Sequence, residues 1–122
     1  MNIIAVGIGG AFGALLRAFL GELIPYSGGF PYATFLCNCI GSFLLGFILT
    51  SQSIITSSVL KLSITTGVLG AFTTFSTFSS EVVTLIQAGN YIIATLYVSL
   101  SILAGLSLSL LGVKLTKVGE RK

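Results

Sequence analysis

The chain of 122 residues lacks histidine and tryptophan, and only 7% of its residues are charged. Aspartate is absent as well, because the three acidic residues are all glutamates. Without His and Asp, most metal sites, the common hydrolytic triads and most proton relays cannot be built. No Walker-type glycine-rich loop with a lysine is present, so no ATP site is expected. We therefore expect a protein that is not an enzyme.

The scarcity of charge accompanies an apolar composition, since 54% of the residues are hydrophobic. An ordinary soluble domain carries roughly 25% charged residues. A soluble chain of this length would leave much of its apolar surface in water, which excludes a water-soluble globular protein. Six basic residues form no groove or stripe, which excludes nucleic-acid binding through phosphate neutralisation.

The few charges leave three long segments, 23–60, 62–80 and 82–113, without any formal charge. Since about 20 apolar residues cross a bilayer, the chain has room for four spans. Loops are predicted at 25–31, which is rich in Pro and Gly, at the polar stretch 51–58 and at the turn 88–90. The prediction is an all-α integral membrane protein, one domain over 1–122, with helices at about 3–24, 32–51, 59–87 and 91–113. No basic segment precedes Ile3, so a cleaved signal peptide is not expected.

The basic residues are unevenly distributed across the predicted membrane. Four spans place both termini on one side, and five of the six Lys/Arg residues then fall on that side: Lys61, Lys114, Lys117, Arg121 and Lys122. Because positive charge favours the cytoplasmic side, we expect both termini to be cytoplasmic in a protein of the cell membrane.

Small residues recur at four-residue spacing and predict close helix packing in lipid. The first span has Gly9 and Gly13, the second has Ser42 and Gly46, and the fourth has a stripe of Tyr97, Ser101, Gly105 and Ser109. These motifs indicate a tightly packed bundle that also dimerises. Cys37 and Cys39 point to different faces of the second span and are interpreted as small apolar residues rather than metal ligands.

Two polar residues within the spans are not explained by packing. Arg17 lies inside the first span, where it either snorkels, caps backbone carbonyls or marks an ion vestibule. Asn38 lies in the second span, and its amide must find partners in a medium without water. It is either interhelical glue or an N–H donor to an anionic or polar species in transit.

The third span places two glycines and then hydroxyl residues at mid-depth, where a spanning helix is usually most apolar. Gly67 and Gly70 each lower helix propensity by about 1 kcal/mol relative to Ala, and the following threonines compete for backbone groups. A helix broken near 70–74 is therefore predicted. Broken backbone at this depth is tolerated where it lines a cavity or holds an ion.

Phe75 and Phe78 fall on one face of the second half of that helix. They are either core aromatics or pore residues whose positively polarised ring edges face an anion. Neutral hydroxyl donors accompany them in both of the last two spans: Ser76, Thr77, Tyr97 and Ser101. A narrow, uncharged path rich in donors suits a small, hard anion that must enter and still leave.

Three motifs together resemble the Fluc/CrcB fluoride channels over essentially the whole chain. The first contains Gly9-Gly10, Gly13-Ala14 and Arg17, and the second runs from Asn38 through Gly41-Ser42 to Gly46. The third is Gly67-xx-Gly70-xx-Thr73-Thr74-Phe75-Ser76-Thr77-Phe78 followed by Glu81. Of the three, the Thr-Thr-Phe-Ser-Thr-Phe segment is the most specific.

The resemblance implies a passive fluoride-selective channel that exports cytoplasmic fluoride and lowers its toxicity. It implies an antiparallel, dual-topology dimer with two narrow pores. By it, Asn38, Phe75 and Phe78 are pore residues, and the hydroxyls of Ser76, Thr77, Tyr97 and Ser101 form a polar track. Backbone carbonyls of Gly70 and Thr73 from both subunits hold a structural sodium ion, while Arg17 and Glu81 belong to the vestibule. The fourth-span stripe departs from the family at Gly105, where a further serine would be expected.

The uneven basic charge favours one orientation, whereas a dual-topology homodimer needs a weak bias. The partner is therefore either a second copy or an oppositely oriented paralogue in a heterodimer.

Two other function classes remain open. The first is a small multidrug-resistance-type proton-coupled cation antiporter, which would need a membrane carboxylate. Glu22 lies at the end of the first span, which leaves Glu81 as the intramembrane candidate. The second is a non-transporting membrane subunit, which would not explain the polar break.

Overall fold

The computed structural model describes residues 2–51, 55 and 57–119, and within these ranges the chain is helical with no strand. Its elements are α1 (Asn2–Leu23), α2 (Tyr32–Thr50), α3 (Ser58–Leu62), a π-helix (Ser63–Leu69), α4 (Gly70–Phe72), α5 (Phe75–Gln87) and α6 (Tyr91–Gly119). The segment from α3 to α5 forms one bent span, so four spans are long and apolar enough to cross a membrane. The predicted all-α architecture and the broken third span are confirmed.

Two of the connections between helices contain a glycine with a positive φ, and both lie in predicted loops. Gly28, between α1 and α2, has φ of 83°, and Gly89, between α5 and α6, has φ of 76°. Such angles are readily adopted only by residues without Cβ. At the end of α5, the N–H of Gly89 donates to Ile86 O (3.0 Å) and that of Asn90 to Leu85 O (2.9 Å). These two bonds satisfy the last carbonyls of the helix and stop it sharply.

One helix boundary differs from the prediction, and one predicted loop is only partly described. α6 continues past the expected end at 113 to Gly119, so Lys114 and Lys117 lie on the helix rather than in a tail. The extension packs on α2, because Thr116 is buried and its hydroxyl donates to Phe47 O (3.0 Å). Residues 52–54 and 56 of the predicted 51–58 loop, and Arg121 and Lys122, lie outside the described residues.

The bend divides the third span between two different packing partners. Its first half packs on α1, where a Cβ added at Gly9 would collide with the carbonyl oxygen of Ser63, and one at Gly13 with that of Val68. Its second half packs on α6 around a buried cluster that includes Leu85, Ala94 and Tyr97. The π-helix was not predicted, because a departure from α-helical geometry was expected only near 70–74.

α2 and α6 form the other close pair. Gly46 approaches the carbonyl of Ser109, and Gly112 approaches that of Phe43, so neither glycine has room for a side chain. The buried Cys37 and Cys39 are free thiols on α2. Small residues thus bring these backbones together, as the spacing motifs indicated.

Candidate functional site

The site is built around two extended residues that interrupt the third span. α4 ends at Phe72, Thr73 has ψ of 146° and Thr74 has ψ of 121°, and α5 then begins at Phe75. The Thr74 hydroxyl caps α5 by accepting a hydrogen bond from the N–H of Thr77 (3.1 Å). A β-branched cap residue with a hydroxyl favours helix initiation at this point.

Asn38 on α2 holds the break through two hydrogen bonds to Thr74. Its Nδ2 donates to Thr74 O (3.2 Å), and its Oδ1 accepts from the Thr74 N–H (2.8 Å). In a continuous α-helix that N–H would donate to the carbonyl of Gly70, four residues earlier. Asn38 therefore binds the N–H that would otherwise donate to the Gly70 carbonyl. Thr74 uses only one of the two hydrogens on Asn38 Nδ2.

Arg17 approaches the same break from α1. Its Nε donates to the carbonyl of Ala71 (3.2 Å), which the interruption leaves without its usual helical donor. A cation near the C-terminal end of a helix also complements the helix dipole. Of the roles considered for Arg17, carbonyl capping is the one that this contact matches.

A cavity of about 390 Å³ opens beside the break, which we call the phenylalanine cavity. Asn38, Gly70, Thr73, Phe75, Phe78 and Ser101 all line it. The Phe75 and Phe78 rings lie 6.0 Å apart at an interplanar angle of 32°, and Phe75 is 81% exposed in the single chain. The Ser101 hydroxyl is buried and has no hydrogen-bond partner among the described residues.

A second cavity of about 220 Å³, the carboxylate cavity, contains Arg17, Thr34, Thr77 and Glu81. Glu81 accepts hydrogen bonds from Thr34 Oγ1 and from the Tyr97 hydroxyl, each at 2.7 Å. Arg17 and Glu81 therefore share one cavity, as placed together in the sequence analysis.

A hydrogen bond between two threonine hydroxyls links the walls of the two cavities. Thr74 lines the phenylalanine cavity and Thr77 lines the carboxylate cavity, and their Oγ1 atoms lie 3.1 Å apart within hydrogen-bond distance. Tyr97 is fully buried, its hydroxyl donates to Glu81 of the carboxylate cavity, and its ring lies 5.0 Å from that of Phe78 of the phenylalanine cavity. Polar groups therefore continue from one cavity to the other.

Of the predicted track residues, Ser76 and Tyr97 line neither cavity, and only Ser76 is exposed. The Ser76 hydroxyl lies 3.2 Å from the Thr74 hydroxyl. A helix turns by about 100° per residue, so adjacent positions on α5 face different directions. The four-residue spacing of Thr34, Asn38 and Ser42 on α2 places all three on one face, a signal that the sequence analysis did not use.

Comparison with known proteins gives consistent similarities. Residues 4–113 match the family described as "CrcB-like protein, Camphor Resistance (CrcB)". A protein of Oceanobacillus iheyensis named "Fluoride-specific ion channel FluC" is 47% identical over 116 residues, covering 93% of this chain and 90% of that protein. A protein of the same name from Chlorobaculum tepidum is 42% identical over 122 residues, covering 98% of this chain and 97% of that protein. "Fluoride-specific ion channel FluC 1" of Bacillus cereus is 48% identical over 113 residues, which is 89% of this chain and 82% of that protein.

Proposed function

The chain belongs to the CrcB-like protein family, and from this premise we propose that it is a fluoride-selective channel that lets fluoride leave the cytoplasm. The names of its relatives support fluoride as the transported ion. The observation that carries the proposal in this chain is the phenylalanine cavity, which combines Asn38, two phenylalanines and Ser101. Among the described residues, none that lines it is charged.

The proposed path uses neutral donors on both sides of the phenylalanines. Fluoride is contacted by the remaining amide hydrogen of Asn38, by the ring edges of Phe75 and Phe78, and by the Ser101 hydroxyl. Thr77 and Tyr97, with Ser76 nearby, extend the donors toward the vestibule of Arg17 and Glu81. Because no charged side chain lines the path between these ends, binding is weak enough for the ion to leave.

A dimer is part of this proposal. Phe75 is 81% exposed at mid-span, and Gly70 is exposed beside the same cavity, so a second subunit is needed to enclose the path. We assign the second subunit an antiparallel orientation, giving two pores. It is either a second copy of this chain or an oppositely oriented paralogue.

The released carbonyls at the break fit a structural sodium ion. Gly70 and Thr73 both lie at the cavity, and Asn38 occupies the N–H that would otherwise satisfy the Gly70 carbonyl. Unwound carbonyls at the end of a half-helix are the type of ligand that binds Na⁺ in membrane proteins. Sodium bound there would supply positive charge that holds carbonyls of two subunits together.

The orientation with both termini in the cytoplasm is supported by the positions of the basic residues. Lys61 lies at the end of the bundle where α2 finishes, because its Nζ donates to the carbonyls of Ser51 (2.8 Å) and Leu49 (3.3 Å). Labelling a C-terminal tag in intact and opened cells tests this orientation. Equal labelling from both sides, with fluoride flux intact, would support a dual-topology homodimer and contradict the heterodimer.

The function is tested by fluoride efflux from liposomes that contain the purified chain, read with a fluoride electrode. Fluoride loss without chloride loss is the expected result. If flux requires coexpression with a paralogue, the heterodimer form of the proposal holds. Proton-driven cation uptake without fluoride flux would overturn the proposal in favour of the antiporter.

A further inference from the structure

Two stripes of polar and small residues run side by side on α2 and α6. The α2 stripe is Thr34, Asn38 and Ser42, and the α6 stripe is Tyr97, Ser101 and Gly105, both with four-residue spacing. Since residues four apart on a helix are neighbours on one face, each stripe presents a continuous line. The two lines can therefore be compared level by level.

Contacts between the two stripes show which residues of α2 and α6 lie at the same level. At the first level, Thr34 and Tyr97 both donate to Glu81. At the third level, a Cβ added at Gly105 would lie 3.6 Å from the Ser42 hydroxyl oxygen. One step further, Gly46 contacts the backbone of Ser109. The third level thus pairs a hydroxyl on α2 with the one position of the α6 stripe that has no side chain.

The Ser42 hydroxyl is available at this level. Thr50, Thr65 and Thr73 donate to the carbonyl four residues earlier in their own helices. Within the part of the chain that the structure describes, the Ser42 side chain makes no such bond. Ser42 lines the phenylalanine cavity together with Ser101, whose buried hydroxyl also lacks a partner among the described residues.

We propose that Ser42 supplies the fluoride-facing hydroxyl at the level where α6 has glycine, so that Ser42 and Ser101 form an anion subsite with one donor from each helix. This inference rests on the proposed fluoride conduction. An O–H donor is suited to a small, hard anion, and two neutral donors bind it without a fixed charge that would trap it. Gly105 leaves the space in which the ion contacts Ser42.

The test removes the hydroxyl from α2 and restores it on α6. Ser42→Ala removes a hydrogen bond to the fluoride ion, and hydrogen bonds to charged groups are stronger than neutral ones. This variant is therefore expected to slow fluoride efflux about tenfold. Gly105→Ser in the Ser42→Ala background is expected to restore most of the flux, because a Cβ at position 105 would lie at an ordinary contact distance, 3.6 Å, from the Ser42 oxygen that the first change removes. Ser107→Ala, at an exposed position of α6, is the matched control and should conduct like the unchanged protein.

The outcomes separate this inference from the function on which it rests. No fluoride flux from the unchanged channel would overturn the proposed function itself. Normal flux from Ser42→Ala, with the unchanged channel active, would overturn the role of Ser42 alone. Slow flux that Gly105→Ser fails to rescue, in a protein with unaltered thermal stability and dimer content, would also contradict the two-helix subsite.

Discussion

The side chain of Asn38 and the backbone of Thr74 exchange two hydrogen bonds, at 3.2 and 2.8 Å, across 36 residues of sequence. The amide of α2 thereby satisfies both polar groups of a peptide unit that the helix break has left outside the backbone ladder. In lipid no water is available to do so, and unsatisfied backbone groups cost several kcal/mol. Asn38 is therefore both interhelical glue and a wall of the phenylalanine cavity.

Replacing Asn38 with Ala should destabilise the fold at the break. The change leaves the N–H and C=O of Thr74 without these partners, so the free energy of unfolding should fall by about 1–3 kcal/mol. Thermal unfolding in detergent measures this effect. Thr95→Val is the control, because the Thr95 hydroxyl bonds only within its own helix, to Tyr91 O. Equal stability of the two variants would contradict the role of Asn38 in stabilising the helix break.

Replacing Phe75 or Phe78 with Ile should slow fluoride efflux while the dimer remains intact. Isoleucine fills much of the volume but has no positively polarised ring edge to face the anion. We therefore expect a roughly tenfold slower flux for either variant. Phe19→Ile, at a position 59% exposed on α1, is the matched control. Unchanged flux in both pore variants would argue against the phenylalanine path.

Replacing Tyr97 with Phe should weaken the carboxylate cavity. Glu81 would keep the hydrogen bond from Thr34 but lose the one from the tyrosine hydroxyl. Because the Tyr97 side chain is fully buried, the free energy of unfolding should fall by about 1–3 kcal/mol, and fluoride flux should slow. Tyr91→Phe, where the side chain is 64% exposed, should change neither stability nor flux. A Tyr97→Phe channel with normal flux would remove this hydroxyl from the path.

Replacing Gly13 with Ala should disrupt the packing of α1 on the first half of the third span. The added Cβ would meet the carbonyl of Val68, a backbone atom that cannot rotate away, so a cost of about 1–3 kcal/mol is expected. Gly7→Ala is the matched control on the same helix, because nothing lies within 4 Å of a Cβ there. Its better helix propensity should stabilise α1 by up to about 1 kcal/mol. Thermal unfolding that ranks the variants in the reverse order would contradict this interface.

The sequence by itself determined that there are four spans, where the first and third loops lie, and the position of the break. Long uncharged stretches leave the membrane as the surrounding medium, and Pro25, Gly28 and Gly89 mark where helices stop. The break was predictable because Gly70 and the threonines that follow it weaken a helix locally. These properties depend on neighbouring residues along one chain, so composition and spacing were sufficient.

Only the tertiary structure decided which residues meet across helices. Periodicity places Asn38 or Glu81 on a face, but it does not say that one reaches Thr74 and the other Thr34 and Tyr97. The π-helix and the extension of α6 to Gly119 were likewise not predicted. Such features arise from contacts between segments distant in sequence, where glycines let backbones approach and carbonyls find donors on another helix. The energy of those contacts, rather than local propensity, sets the register of α2 against α6 and so the shape of the cavities.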